Sequence, residues 1–181
     1  MTWCALDLLQ TVCQAKPWIP GPDLCILYAM LYTIGYAKLT PALLVKTLDR
    51  FSIATLVDVR SSPRTRVAGF GNRQLETLLG PRYAYRGNEL GGRPPGVSER
   101  GLLWLAHLAA CNEAVGDHTA IMCMEEAPGD CHRHHTISLQ MVARRAADVR
   151  HIYRNELIEA TELQRAIDTD TDYDCDLFEL S

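Results

Sequence analysis

Apolar residues along this chain come in short unbroken blocks, separated by stretches in which they recur every three or four positions. Residues 24–34 form the first block, rich in Leu, Ile and Tyr and ending at Gly35-Tyr36, and predict a strand. Thr40-Pro41 then reads as an N-cap followed by proline at the first helical position, with Leu44, Leu48 and Phe51 at helical spacing behind it. Residues 53–59 predict a second strand, and a short helix begins at Asn72 and closes at Gly80. A brief strand at 83–86 precedes a longer helix opened by Ser98 or Glu99. Its Leu102, Leu105, Ala106 and Ala109 make an inward face before Gly116. Further elements are a strand at 119–124, a helix at 132–147, a strand at 149–153 and a last helix at 156–167.

This alternation of strand and helix predicts an α/β fold, a single open three-layer domain whose mainly parallel, Rossmann-like sheet is covered on both faces. In such a sheet the C-terminal strand ends share one edge. Gly35-Tyr36, Asp58-Val59-Arg60 and residues 123–133 are therefore expected to converge despite their separation in sequence. Pro17, Pro20, Gly21 and Pro22 set off residues 1–23 as an N-terminal extension, residues 24–167 make the α/β domain, and 168–181 form an acidic tail.

Composition narrows the class. Of 181 residues 48% are apolar, enough for one substantial core. No apolar run approaches the roughly 20 residues that span a bilayer, and the first residues lack the basic start of a signal peptide, so a cytoplasmic protein with no membrane partner is expected. Seven cysteines, an odd number without framework spacing, favour reduced thiols. Cys4, Cys13, Cys25 and Cys111 have apolar neighbours and read as small buried hydrophobes, and Cys175 receives no role.

The net charge of -4 is unevenly spread. Between Arg60 and Arg100 stand eight arginines and three glutamates, whereas from Glu156 onward nine acids face the single Arg165. That polarity suits an anionic small molecule or nucleic acid at the middle of the chain.

Three stretches carry candidate chemistry. Asp58-Val59-Arg60-Ser61-Ser62-Pro63-Arg64-Thr65-Arg66 leaves a strand through an acid and meets three arginines. Arg60, Arg64 and Arg66 suit a phosphate or carboxylate, and an Asp58–arginine pair that braces the loop is the equal alternative. Gly69-Phe70-Gly71-Asn72-Arg73 feeds a helix capped by Asn72 but has neither a P-loop nor a dinucleotide fingerprint. Glu89-Leu90-Gly91-Gly92-Arg93-Pro94-Pro95-Gly96 reads as a ligand-shaping loop.

The densest signal lies at Cys123-Met124-Glu125-Glu126-Ala127-Pro128-Gly129-Asp130-Cys131-His132-Arg133-His134-His135, where a strand turns into a helix. Three readings stand. Cys131 is a nucleophile or redox thiol, with one of the histidines as base and Glu125 as acid or orienter. Alternatively, Cys123, Cys131 and a histidine hold zinc or iron, although seven intervening residues is not the short C-x₂₋₄-C hairpin and no distant C-x₂-C completes a set of four. In the third, the cysteines are packing and only Glu125 and Arg133 meet a ligand. His134 and His135, adjacent on a helix, face different ways, so at most one reaches the site. Spacing assigns no metal ligand and specifies no cofactor.

Thr33-Ile34-Gly35-Tyr36, the run Val57 to Arg64, Phe70-Gly71-Asn72, Glu89-Leu90-Gly91-Gly92 and Cys123-Met124-Glu125 followed by Cys131-His132-Arg133 together resemble the domain of unknown function 488 family. The resemblance covers about Tyr28 to Arg154 and implies a compact α/β domain of bacterial and phage type, without an established reaction. It carries over Asp58, Arg60, Arg64, Asn72, Gly91, Gly92, Cys123, Glu125, Cys131, His132 and Arg133 as ligand-site candidates. Two departures stand out: Tyr36 replaces the histidine of T-I-G-H, and the G-x-F-N loop appears as Gly69-Phe70-Gly71-Asn72.

The expected function is an enzyme or enzyme-like domain acting on a nucleotide or nucleic-acid type anion. Arg60, Arg64 and Arg133 hold the substrate, Asn72, Gly91, Gly92 and His132 line the site, and Glu125, Cys131 and Asp58 carry the chemistry. A non-catalytic nucleic-acid or protein-binding module is the alternative.

Overall fold

The computed structural model describes residues 29–154 and 156–169. The N-terminal extension, the first part of the 24–34 block, Cys4, Cys13, Cys25, Cys175 and nearly all of the acidic tail lie outside the described residues. Six strands form one sheet: β1 (Met30–Gly35), β2 (Ile53–Asp58), β3 (Tyr83–Tyr85), β4 (His118–Cys123), β5 (Asp148–Tyr153) and β6 (Glu156–Glu159). Their order is β3-β2-β4-β1-β5-β6, with every pair parallel except β5–β6. The α/β class expected from the sequence is the one observed.

Alternation along the central strands sorts the two faces. On β4, Ala120 and Met122 join Ile34, Leu56, Phe70 and Leu75 in one core, where α1 (Pro41–Arg50) and α2 (Asn72–Leu79) pack. Ile121 and Cys123 point the other way, into a core with Leu102, Leu105 and Ala109 of α4 (Glu99–Glu113) and with Ile137 and Met141. Period-two geometry thus fixes the face that receives the Cys123 thiol. The helix starts are sequence-encoded: Thr40 Oγ1 accepts from Leu43 N–H and Ser98 Oγ from Gly101 N–H. Asn72 is the first helical residue of α2 rather than its cap. Gly71 caps that helix, and its N–H donates to the Gln74 side chain.

Three elements differ from the sequence reading. Residues 156–159 do not begin the last helix; they form an antiparallel edge strand, and α6 starts at Ala160 and runs to Thr169. Glu156–Glu159 pairs antiparallel with Arg150–Tyr153, so hydrogen bonding to a neighbouring strand won over helical propensity. The helix expected over 132–147 is also not uniform. Arg133–Ser138 winds as a π-helix, with Ser138 Oγ donating to Arg133 O at 2.6 Å, before α5 (Leu139–Ala143) resumes the ordinary pitch. Such π turns are frequent at functional sites. A short helix, α3 (Gly87–Leu90), stands where only a loop was expected.

Candidate functional site

The parallel sheet delivers β1, β2 and β4 to one edge, and at that edge the chain after β4 folds back on itself. Cys123 ends β4. The loop from Met124 then descends through a 3₁₀ turn at Pro128–Asp130, which returns Cys131 and His132 to the strand end. Both thiols lie 3.1 Å from the same oxygen, Oε2 of Glu125. His132 Nδ1 stands 3.7 Å from Cys123 Sγ and 3.8 Å from Cys131 Sγ. Its other nitrogen, Nε2, is 3.1 Å from the carbonyl of Leu90, which can only accept. Nε2 therefore carries a proton, and Nδ1 is the nitrogen turned toward the sulfurs.

Glycines let the surrounding backbone close in. A Cβ on Gly92 would sit 2.7 Å from the His132 ring, one on Gly91 2.4 Å from Gly87 O, and one on Gly35 1.8 Å from Glu125 O. The Leu90–Gly91–Gly92 segment is thus a roof over His132, and Gly35 is where β1 admits the Glu125 loop.

Charge within the cluster is uneven. The hydrogen bond from Cys123 pulls the Cys131 thiol well below its ordinary pKa against the opposing effect of burial, with help from His132 and Arg133. Cys123 is pushed far up, first by that hydrogen bond and then by burial. Burial raises Glu125, but hydrogen bonds from Cys131, its own N–H and Cys123 outweigh it and leave the carboxyl below its ordinary value. Burial likewise lowers His132, yet its contact with Cys131 leaves it above the usual imidazole. Of the two thiols, Cys131 is the one whose pKa is lowered, and the Glu125 carboxyl lies beside it.

Other candidates have different surroundings. Arg133 is wholly buried, and its guanidinium donates to Glu125 O (2.6 Å), Glu126 O (2.7 Å) and Thr33 Oγ1 (3.3 Å). Arg60, 5% exposed, chelates Asp58 through Nε (2.8 Å) and Nη2 (2.6 Å) and donates from Nη1 to Tyr36 Oη (3.0 Å). Tyr83 completes that group by donating to Asp58 Oδ2 at 2.6 Å, and Tyr36 stacks on Phe70. The anion grip expected of Arg60 and Arg133 is therefore not what these side chains do here: both are inside, with their donors taken by protein. Asp58 is equally occupied and buried, as partner of Arg60 and Tyr83 rather than as an open acid or base. Arg64 is exposed, and Asn72 is half-buried at the start of α2.

Behind Arg133 runs a chain of polar groups that sequence reasoning missed. Thr33 Oγ1 lies 2.7 Å from His151 Nδ1, His151 Nε2 is 3.0 Å from His134 Nδ1, His134 Nε2 is 3.1 Å from Gln164 Oε1, and Gln164 Nε2 donates to Asp168 at 2.7 Å. Arg133 can only donate and the Asp168 carboxylate only accepts, so the ends fix every proton between them. Both histidines carry theirs on Nε2. Burial, then the charge of His135, holds His134 down to about 4, and burial holds His151 well below its ordinary value, so both are neutral. The available signal was polar residues at inward strand positions: Thr33 between Tyr32 and Ile34, and His151 beside Ile152.

A cleft of about 380 Å³ flanks α3, lined by Tyr85, Arg86, Asn88, Glu89, Arg100 and Trp104, with the Arg86 guanidinium 4.2 Å over the Trp104 ring. Leu90, the last residue of α3, is the one that holds His132. No helix among the described residues is long and apolar enough to cross a membrane. No family model, curated protein or solved structure matches this chain.

Proposed function

We propose that the protein is an enzyme whose reaction centre is the Cys123–Glu125–Cys131–His132 cluster and whose substrate is a small anion of nucleotide type. The carrying observation is the convergence of two thiols on one carboxylate oxygen beneath the imidazole of His132. Glu125 is the acid/base group, since its carboxylate is half-exposed while its backbone is clamped by Arg133. Cys131 is the thiolate of the centre. Arg86 and Arg100, beside Trp104 and Tyr85, suit a phosphate and a base, and α3 links that cleft to the roof of the centre. With Arg60 and Arg133 withdrawn into the interior, the half-buried Arg86 and the exposed Arg100 and Arg64 take over the anion-binding role. The family resemblance is part of the same proposal: Cys123, Glu125, Cys131, His132 and Arg133, which its motif named together, occupy one place.

The test is turnover of a panel of nucleoside mono-, di- and triphosphates, followed chromatographically. Wild type and Arg50→Ala convert a member of the panel, and Glu125→Gln is slower by about 100-fold or more. Wild-type turnover in Glu125→Gln would remove Glu125 from the chemistry. The second reading, a non-catalytic nucleic-acid or protein-binding module, draws on arginines of the middle of the chain that stay exposed, among them Arg64, Arg66, Arg93 and Arg100. It expects salt-graded nucleotide binding that Cys131→Ser leaves intact.

A further inference from the structure

We propose that Cys123, Cys131 and His132 bind one thiophilic divalent cation, zinc, with the Glu125 carboxylate bordering its fourth position. This rests on the cluster being the reaction centre, and it makes Cys131 a ligand rather than an attacking nucleophile.

Four observations converge. The donor atoms of the three residues all lie within 4.8 Å of one another. The two sulfur–nitrogen separations, 3.7 and 3.8 Å, are within a few tenths of an ångström of the edge of about 3.5–3.6 Å set by tetrahedral zinc with Zn–S near 2.3 Å and Zn–N near 2.0 Å. His132 is prepared as a ligand: its Nε2–H is committed to the Leu90 carbonyl, which frees Nδ1 and fixes the ring, the arrangement seen behind metal-bound histidines. Gly92 against the ring and Arg133 on the Glu125 and Glu126 carbonyls hold the loop in that shape.

The fourth observation concerns charge. Two thiols and a carboxylate crowd one small space, and among the described residues no ion pair reaches the Glu125 carboxylate. The nearest guanidinium, Arg133, gives its hydrogen bonds to backbone carbonyls and Thr33 instead. A central divalent cation lets both thiols ionise there: each cysteine releases its proton to solvent as the metal–sulfur bond forms, so the ion, a neutral imidazole and two thiolates sum to zero and the Glu125 carboxylate keeps its single charge beside them. The soft sulfur pair selects zinc over magnesium or calcium. Three protein ligands with the fourth position left to water, and a carboxylate beside it, is the pattern of catalytic rather than structural zinc. Glu125 can then accept a proton from a water bound there.

The experiment uses full-length protein purified without a histidine tag, stripped of metal and titrated with cobalt(II), then zinc. Wild type develops a thiolate-to-cobalt charge-transfer band and tetrahedral ligand-field bands that saturate at one ion per chain, and zinc abolishes them. Added zinc also shields both thiols from iodoacetamide, a readout that needs no variant. Cys123→Ser, Cys131→Ser and His132→Gln each weaken binding by more than about 100-fold, while Cys111→Ser, on α4, and Glu125→Gln keep the charge-transfer band. A folded wild type with no such band and no shielding overturns the proposal, as does an unchanged titration in Cys131→Ser. If Glu125→Gln is still inactive in that case, the centre stands as thiol chemistry. If metal binds but Glu125→Gln turns over normally, the metal site stands and the reaction centre falls.

Discussion

The ends of β2 and β4 lie side by side in the sheet, Asp58 opposite Met122, and both carry acidic groups close to arginine, yet they are built for opposite purposes. At β2 the acid and the base answer each other. Asp58 receives Arg60 in a two-pronged contact plus the Tyr83 hydroxyl, while Arg60 also meets Tyr36. At β4 the acidic groups meet one another instead: two thiols share an oxygen of Glu125, and the adjacent Arg133 turns away to hold backbone carbonyls. A buried charge with its partner is a brace. Concentrated ligating groups that share hydrogen bonds but no ion pair are a place prepared for something else.

The sharpest way to break this contrast is to remove one charge from the brace. Asp58→Ala strands the Arg60 guanidinium in the interior and should cost about 3–5 kcal/mol in chemical denaturation, whereas Cys131→Ser should cost no more than about 1–2 kcal/mol while abolishing the chemistry of the centre. Equal losses for the two variants would dissolve the distinction between brace and centre.

Acid should strike the β4 end through the histidines behind Arg133. The pKa of His134 is depressed to about 4 when folded, so below the unfolded value near 6.5 the unfolded chain binds a proton that the folded chain refuses. Stability is therefore full above about pH 6.5 and falls as pH drops toward 4, by on the order of 3 kcal/mol from His134. His151 adds loss in the same direction. His134→Gln should flatten the curve measured by denaturation at successive pH values; an unaltered slope would show that the titration lies elsewhere.

The smallest effect on stability and the most local one on the site is expected at the roof. Gly92→Ala places a methyl 2.7 Å from the His132 ring and should cost about 1–2 kcal/mol, yet it should weaken cobalt binding by about tenfold or more because the ring must move. Gly96→Ala, where a Cβ meets nothing within 4 Å but φ is +84°, is the comparison: it should lower stability with no change in cobalt binding.

Sequence order made the strand–helix alternation legible because apolar periodicity reports which face of an element is buried. It located the helix starts at Thr40 and Ser98, since a side-chain cap is a local interaction. It also named Cys123, Glu125, Cys131, His132 and Arg133 as one dense motif. It misread residues 156–159, where a strand and a helical turn share the same four letters and only the neighbouring β5 decides between them. It could not distinguish an arginine aimed outward from one turned inward, because Arg60 and Arg133 are read in the same letter as Arg64.

What the tertiary structure alone decided is which partners those groups received. The parallel sheet brought Thr33 and His151 into contact across 118 residues and set Arg133 against Thr33 across 100. A π-wound turn buried His134 toward His151 and left His135 exposed, and the glycine roof 42 residues upstream supplied the carbonyl that orients His132. Burial and hydrogen-bond direction are properties of surroundings, and surroundings are assembled from distant segments. Composition and spacing determined that this chain carries thiols, carboxylates and guanidiniums at strand ends; only packing decided which of them were neutralised and which were left facing one another.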